Sequence, residues 1–208
     1  MTYFPSEPFS DAGSYALAYF ARLAGAANTV NAAEVTRAGE LLSRTVHAGG
    51  RIYSCGNGGS AAIANHLCCD CLKGARTNSL IKPKVYSLAA TVELLTAIAN
   101  DVGFEDIFAY QLASLGAPGD VLIAISASGA SPNIIKALSE AKALGMSTIA
   151  MTGFGGGAAA GAADISLHVD AQNYGLVEDT HQSLMHILAQ FLRQAHIEDP
   201  GLLGRTKF

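Results

Sequence analysis

The chain has 208 residues, which suits one domain with an added helical arm. Hydrophobic residues make up 50% and charged residues only 14%, against about 25% in ordinary soluble domains, so apolar surface is left over and a homo-oligomer is expected to cover it. A net charge of −4 without a Lys/Arg cluster argues against nucleic acid, the apolar runs fall short of the ~18 residues of a membrane span, and residues 1–10 lack a signal peptide's basic and apolar regions, so a cytoplasmic protein is expected.

Residues 11–47 carry a helical pattern, broken near GAANTVNAAE, where Asn28 or Asn31 would cap a second helix. A β-type run follows at 51–55, and similar runs recur in KVYSLA, DVLIAISAS, STIAMTG and ISLHVD. Helical stretches lie between them, at 60–72, 91–100, 105–115 and 132–144. Strands of nearly continuous apolar character alternating with helices predict an α/β fold, a parallel sheet covered on both faces. Gly119-Asp120 ahead of VLIAIS and Ser131-Pro132 at a helix start mark the clearest boundaries. A long amphipathic helix is expected over 177–195, with Leu184, Ile187, Leu188 and Phe191 on its apolar side. The Gly/Ala run at 153–163 reads as low complexity, and the tail DPGLLGRTKF carries no clear signal. Cys68, Cys69 and Cys71 crowd one helical turn, where side chains diverge, so with Cys55 they read as buried reduced thiols.

Two strand ends are equipped to hold an anion. The first is Gly56-Asn57-Gly58-Gly59-Ser60, where glycines let backbone N–H groups approach a ligand at the start of a helix. The second is Ser126-Ala127-Ser128-Gly129-Ala130-Ser131, whose three hydroxyls suit the oxygens of a phosphate monoester. A dinucleotide site is the competing reading, since Gly56-x-Gly58-x-x-Ala61 and Gly153-x-Gly155-x-x-Ala158 match its glycine fingerprint. The strand after the first loop, KVYSLAAT, lacks the acid that would hold the ribose; after the second, Asp170 stands roughly in place, but on a strand that would be last in the sheet. No Gly-x-x-x-x-Gly-Lys-Ser/Thr loop exists.

With both loops in hand, the chain resembles the SIS (sugar isomerase) domain proteins and is most similar to the sedoheptulose 7-phosphate (phosphoheptose) isomerases. The resemblance is carried by CGNGGSAAIANH, TAIANDVGFEDIF, GDVLIAISASGASPNIIKAL, AKALGMSTIAMTG and VEDTHQSLMHIL, in family order from Gly50 to about Phe191. It implies a single SIS domain over 1–208 with a helical arm at about 11–48. The core would be a flavodoxin-like three-layer sandwich around a five-stranded parallel sheet. It also implies a homotetramer with sites between subunits, and an enediol isomerisation of sedoheptulose 7-phosphate to a D-glycero-manno-heptose 7-phosphate. A non-catalytic SIS adaptor that binds a sugar phosphate or a protein is the alternative.

By the same resemblance, Ser60, Ser126, Ser128 and Ser131 contact the phosphate, with Asn57, Gly58, Gly59 and Glu178 close to the substrate, and Asp101 contacts sugar hydroxyls. His66 and His186 match two zinc-binding histidines, one ion per subunit. The chain has Asp70 where the family pattern has Glu, Glu178 where it has Gln, and Gly175 where it has Asp. His66 and Asp70 lie one turn apart behind the glycine loop, and Glu178 and His186, eight residues apart, share a helix face about 80° wide. His66, Asp70, Glu178 and His186 together are thus expected to form a tetrahedral zinc set. Asp70 is expected to take the substrate proton and His186 to deliver it from the far side.

Overall fold

The computed structural model describes residues 3–205 and 207. Five strands form one sheet: β1 (Arg51–Gly56), β2 (Lys84–Ser87), β3 (Val121–Ser126), β4 (Ser147–Thr152) and β5 (Ile165–His168). All neighbouring pairs are parallel, in the order β2-β1-β3-β4-β5. The helices are α1 (Ala12–Ala27), α2 (Ala32–His47), α3 (Gly59–Cys69), α4 (Val92–Asp101), α5 (Ala109–Leu115), α6 (Pro132–Ala143), α7 (Gly157–Ala162) and α8 (Tyr174–Ala195). The expected α/β sandwich with N-terminal helices is the fold observed.

Burial along β3 shows why the strands read as unbroken apolar runs. Every residue from Val121 to Ser126 is buried. Val121, Ile123 and Ile125 face one layer with Leu67, Leu184 and Leu188, while Leu122 and Ala124 face the other with Phe108, Leu112 and Leu138. A period-two chain covered on both sides needs apolar residues at every position. Each fully buried Leu or Ile contributes about 1.5–3 kcal/mol.

The arm is built by capping. Asp11 accepts from Ser14 N at 2.8 Å to start α1, and Asn31 accepts from Ala33 N at 2.9 Å to start α2. Of the two candidates, Asn31 is the N-cap, and Asn28 closes α1 at its other end. α1 buries only Ala26, leaving Leu17 and Phe20 exposed.

Three local expectations need correction. α8 starts at Tyr174, because Asn173 accepts from Leu176 N at 3.1 Å and caps it earlier than apolar spacing indicated. The Gly/Ala run contains a short helix, α7. Among the four thiols, all free, Cys55 and Cys71 are buried but Cys69 is exposed. Burial pushes the Cys71 thiol up to about 12. Among the described residues, no helix is long and apolar enough to cross a membrane.

Candidate functional site

In this strand order, chain connections leave β1 toward β2 and β3 toward β4, in opposite directions along the sheet. A crevice opens where they part, at the carboxyl ends of β1 and β3, the place where open α/β sheets bind ligands. The glycine loop after β1 and the serine loop after β3 flank it. Asn57, Ser60, Ser126, Ser128, Ser131 and Glu178 line one cavity of ≈ 140 Å³ there, together with Tyr174.

The cavity is built to donate hydrogen bonds. Ser126 Oγ accepts from Gly129 N at 3.2 Å and Ser128 Oγ from Ala130 N at 3.3 Å. Accepting leaves each hydroxyl hydrogen free for a ligand. Ser131 precedes α6 without capping it through its side chain, and Gly58 precedes α3 with none to offer, so no side-chain cap competes with a ligand at either helix N-terminus.

A third loop holds the serine loop in place. Gly129 has φ +62°, and a Cβ there would overlap the Gly156 carbonyl; a Cβ on Gly157, φ +53°, would run into the Gly129 backbone. Ala159 N also donates to Gly129 O at 2.9 Å. Of the two fingerprint glycines in this third loop, Gly153 packs where a Cβ would run into the Val177 side chain, while Gly155 is sterically open; the close backbone approach belongs to Gly156 and Gly157.

The second half of the site runs along α8. Tyr174, Glu178, Gln182 and His186 are spaced by four, so they form one stripe, each step rising about 6 Å. The stripe faces α3. At its far end His66, Asp70 and His186 place one ligand atom each within 4.8 Å of the others. Asp70 Oδ2 lies 2.6 Å from His186 Nδ1 and Oδ1 lies 3.3 Å from His66 Nε2. Gln182 Nε2 lies 3.0 Å from His66 Nδ1 and 3.0 Å from His186 Nε2. These four contacts close a ring that neutral imidazoles satisfy fully, each donating to Asp70 and accepting from the Gln182 amide. Asp70 opens a π-helical turn, Asp70–Ala75, a distortion that often marks functional positions.

Two imidazoles and a carboxylate are a donor set suited to zinc with a coordination position left open. Glu178, expected as a fourth ligand, is not in this group. It stands two helical turns back, its carboxylate against Gly59 at the start of α3. Burial, and then the neighbouring Asp179, raise its pKa. The expectation that base and acid face each other across the substrate also needs revision, because Asp70 and His186 touch directly. One fewer methylene in Asp70 than in Glu does not prevent contact with both imidazoles.

Asp101 is exposed at the end of α4, accepting from Asn100 at 2.7 Å, and lines neither the cavity nor the histidine group. Tyr174, Gln182 and Asn133 were not foreseen. For Tyr174 and Gln182 the four-residue spacing with Glu178 and His186 was the available signal. Gly175 has a steric reason: a Cβ there would meet the Tyr19 hydroxyl at 2.8 Å. That hydroxyl donates to Asp179 Oδ2 at 2.6 Å, and burial, with this carboxylate second, pushes the Tyr19 phenol up.

Behind the stripe, His181 is fully buried and bonds Thr152 O through Nε2 at 3.1 Å, while Nδ1 has no partner. Burial lowers its pKa from 6.5 to about 4. Above pH 6.5 both folded and unfolded chains keep it neutral; as pH falls toward 4, only the unfolded chain takes up the proton. His181 should therefore cost about 2 kcal/mol of stability between pH 7 and pH 5. Urea unfolding at both values should show a larger loss for the wild type than for His181→Leu; equal losses would rule the imidazole out as the cause.

A family model described as SIS domain matches residues 15–153. The chain is 41% identical over 162 residues to the phosphoheptose isomerase of Nitratidesulfovibrio vulgaris, covering 77% of this chain and 76% of that one. It is 36% identical over 161 residues to the phosphoheptose isomerase of Rhodospirillum rubrum, covering 77% and 85%. The structure of phosphoheptose isomerase from Neisseria gonorrhoeae superposes with a TM-score of 0.81 at 32% identity, covering 88% of this chain and 98% of that one.

Proposed function

From the premise that the chain belongs to the SIS domain family, we propose that it is a sugar-phosphate isomerase acting on sedoheptulose 7-phosphate. The observation that carries this reading is the single track along α3 and α8, with an anion cradle at one end and a His–Asp–His group at the other. Ser60 and His66 on α3 are separated by a rise of about 9 Å. An open-chain sugar with its phosphate at one end and its carbonyl at the other spans such a track. The whole chain, 1–208, is read as one SIS domain with the arm at about 11–48, working in the cytoplasm.

Gripping the phosphate does no chemistry but positions C1 and C2, lowering the entropic cost of reaching the reactive geometry. The Asp70 carboxylate takes the proton from C1 while O2 gains one, forming the enediol. O1 of the enediol then gives up its proton while C2 gains one, which leaves the carbonyl at C1 and gives D-glycero-manno-heptose 7-phosphate. His186, 2.6 Å from Asp70, is the group that exchanges a proton with it. A zinc ion held by His66, Asp70 and His186 would, when bound, polarise the substrate oxygens. Glu178 belongs with Asn57, Gly58, Gly59 and the serines at the phosphate end.

Following sedoheptulose 7-phosphate by NMR, with and without added zinc, tests the reading. Appearance of the aldose supports it; no turnover across several ketose phosphates would favour an adaptor.

The active protein is read as a homotetramer, and Asp101 as a substrate contact delivered across a subunit boundary. What supports this is the arm, where Leu17 is 76% and Phe20 63% exposed, and α4, where only Ile98 is buried. So much wet apolar surface is costly for a monomer. Light scattering should give the mass of four 21.4 kDa chains. A stable monomer at micromolar concentration would remove both the tetramer and the shared contact.

A further inference from the structure

Asn133, the second residue of α6, is 1% exposed. Its side chain pairs reciprocally with Asn57: Asn57 Nδ2 donates to Asn133 Oδ1 at 2.9 Å, and Asn133 Nδ2 donates to Asn57 Oδ1 at 2.8 Å. The two residues are 76 apart in sequence: Asn57 is in the glycine loop, and Asn133 is in the first turn of the helix that follows the serine loop. Asn57 lines the cavity; Asn133 does not.

We propose that Asn133 is a positioning residue for the sugar phosphate, acting through Asn57 and resting on the isomerase reading above. Two antiparallel hydrogen bonds between planar amides fix both their separation and their common plane. They thereby hold the glycine and serine loops at one spacing. They also decide the orientation of Asn57, whose amide keeps one N–H and one lone pair beyond those the pair uses. With Asn133 in place that remaining N–H is held as a donor for the ligand. Without it the Asn57 amide turns freely and bonds to water, and a bound ligand must order it anew.

A double-mutant cycle on sugar-phosphate binding tests this, using wild type, Asn133→Leu, Asn57→Ala and the double variant. Kd for sedoheptulose 7-phosphate is read by calorimetry and KM and kcat by NMR. Asn133→Leu keeps a branched shape but removes both bonds, and should weaken binding and raise KM by about tenfold with kcat within about threefold. Because Asn133 acts through Asn57, the same change in the Asn57→Ala background should add less than about twofold. An unchanged Kd in Asn133→Leu, or effects that multiply in the double variant, overturn the proposal. Should melting show that Asn133→Leu does not fold, Asn133→Ala takes its place with the same expectations. Wild type that binds the sugar phosphate without isomerising it overturns the isomerase reading and leaves the cycle readable. Wild type that binds none overturns both.

Discussion

Asp70→Asn is expected to lower kcat by about a thousandfold while leaving the affinity for inorganic phosphate within about twofold of wild type. The change keeps size and shape but removes the only carboxylate in the His66–Asp70–His186 group. An amide cannot take a proton from carbon, and it cannot accept from both imidazoles at once as the carboxylate does at 2.6 and 3.3 Å. The cradle proposed for the phosphate lies ten residues back at Ser60, about 15 Å along the helix axis, beyond the reach of so local a change. Turnover near the wild-type rate would remove Asp70 as the base. Wild type loaded with zinc and then dialysed should retain metal and the variant should lose it. A wild type that retains none would leave the group as the hydrogen-bonded ring closed by Gln182.

Gly129→Ala should have the largest effect on the cradle itself. At φ +62° an alanine costs about 1–2 kcal/mol from its own backbone, and its Cβ would overlap the Gly156 carbonyl. Neither backbone can yield cheaply, because Ala159 N bonds Gly129 O and Gly153 N bonds Ala127 O, tying the serine loop to residues 153–159 at 2.9 and 2.8 Å. A loss of about 3 kcal/mol or more in stability is expected, with sugar-phosphate binding reduced at least about a hundredfold in whatever folds. Gly155→Ala is the control, since a Cβ there meets nothing within 4 Å and its φ is ordinary. If both variants melt and bind alike, the interlocked glycines do not shape the cradle.

The five strands and most helices were legible in the sequence because their signals are local. An apolar run such as VLIAIS needs only its own residues to announce a doubly covered strand, and Ser131-Pro132 announces the start of α6. The two anion loops were visible for the same reason, as Gly- and Ser-rich turns between a strand and a helix. α7 was missed because six residues of Gly and Ala carry no periodicity at all.

Which of those local features meet is set by the sheet order, and that depends on contacts far apart in the chain. Placing β1 beside β3 brings the loop at Asn57 against Asn133 and makes one cavity from two turns. Packing α8 on α3 brings His186 within 2.6 Å of Asp70 across 116 residues. Gln182 had no claim from its residue type and took its place only because His66 stands opposite. Glu178 had a ligand's residue type and eight-residue spacing, but two turns of helix carry it about 12 Å from His186, to the cavity lined by the serine loop. Periodicity determines which face a side chain takes, because it is a property of one helix or strand. What that face meets is decided by the order in which the strands assemble, and no short stretch of sequence contains it.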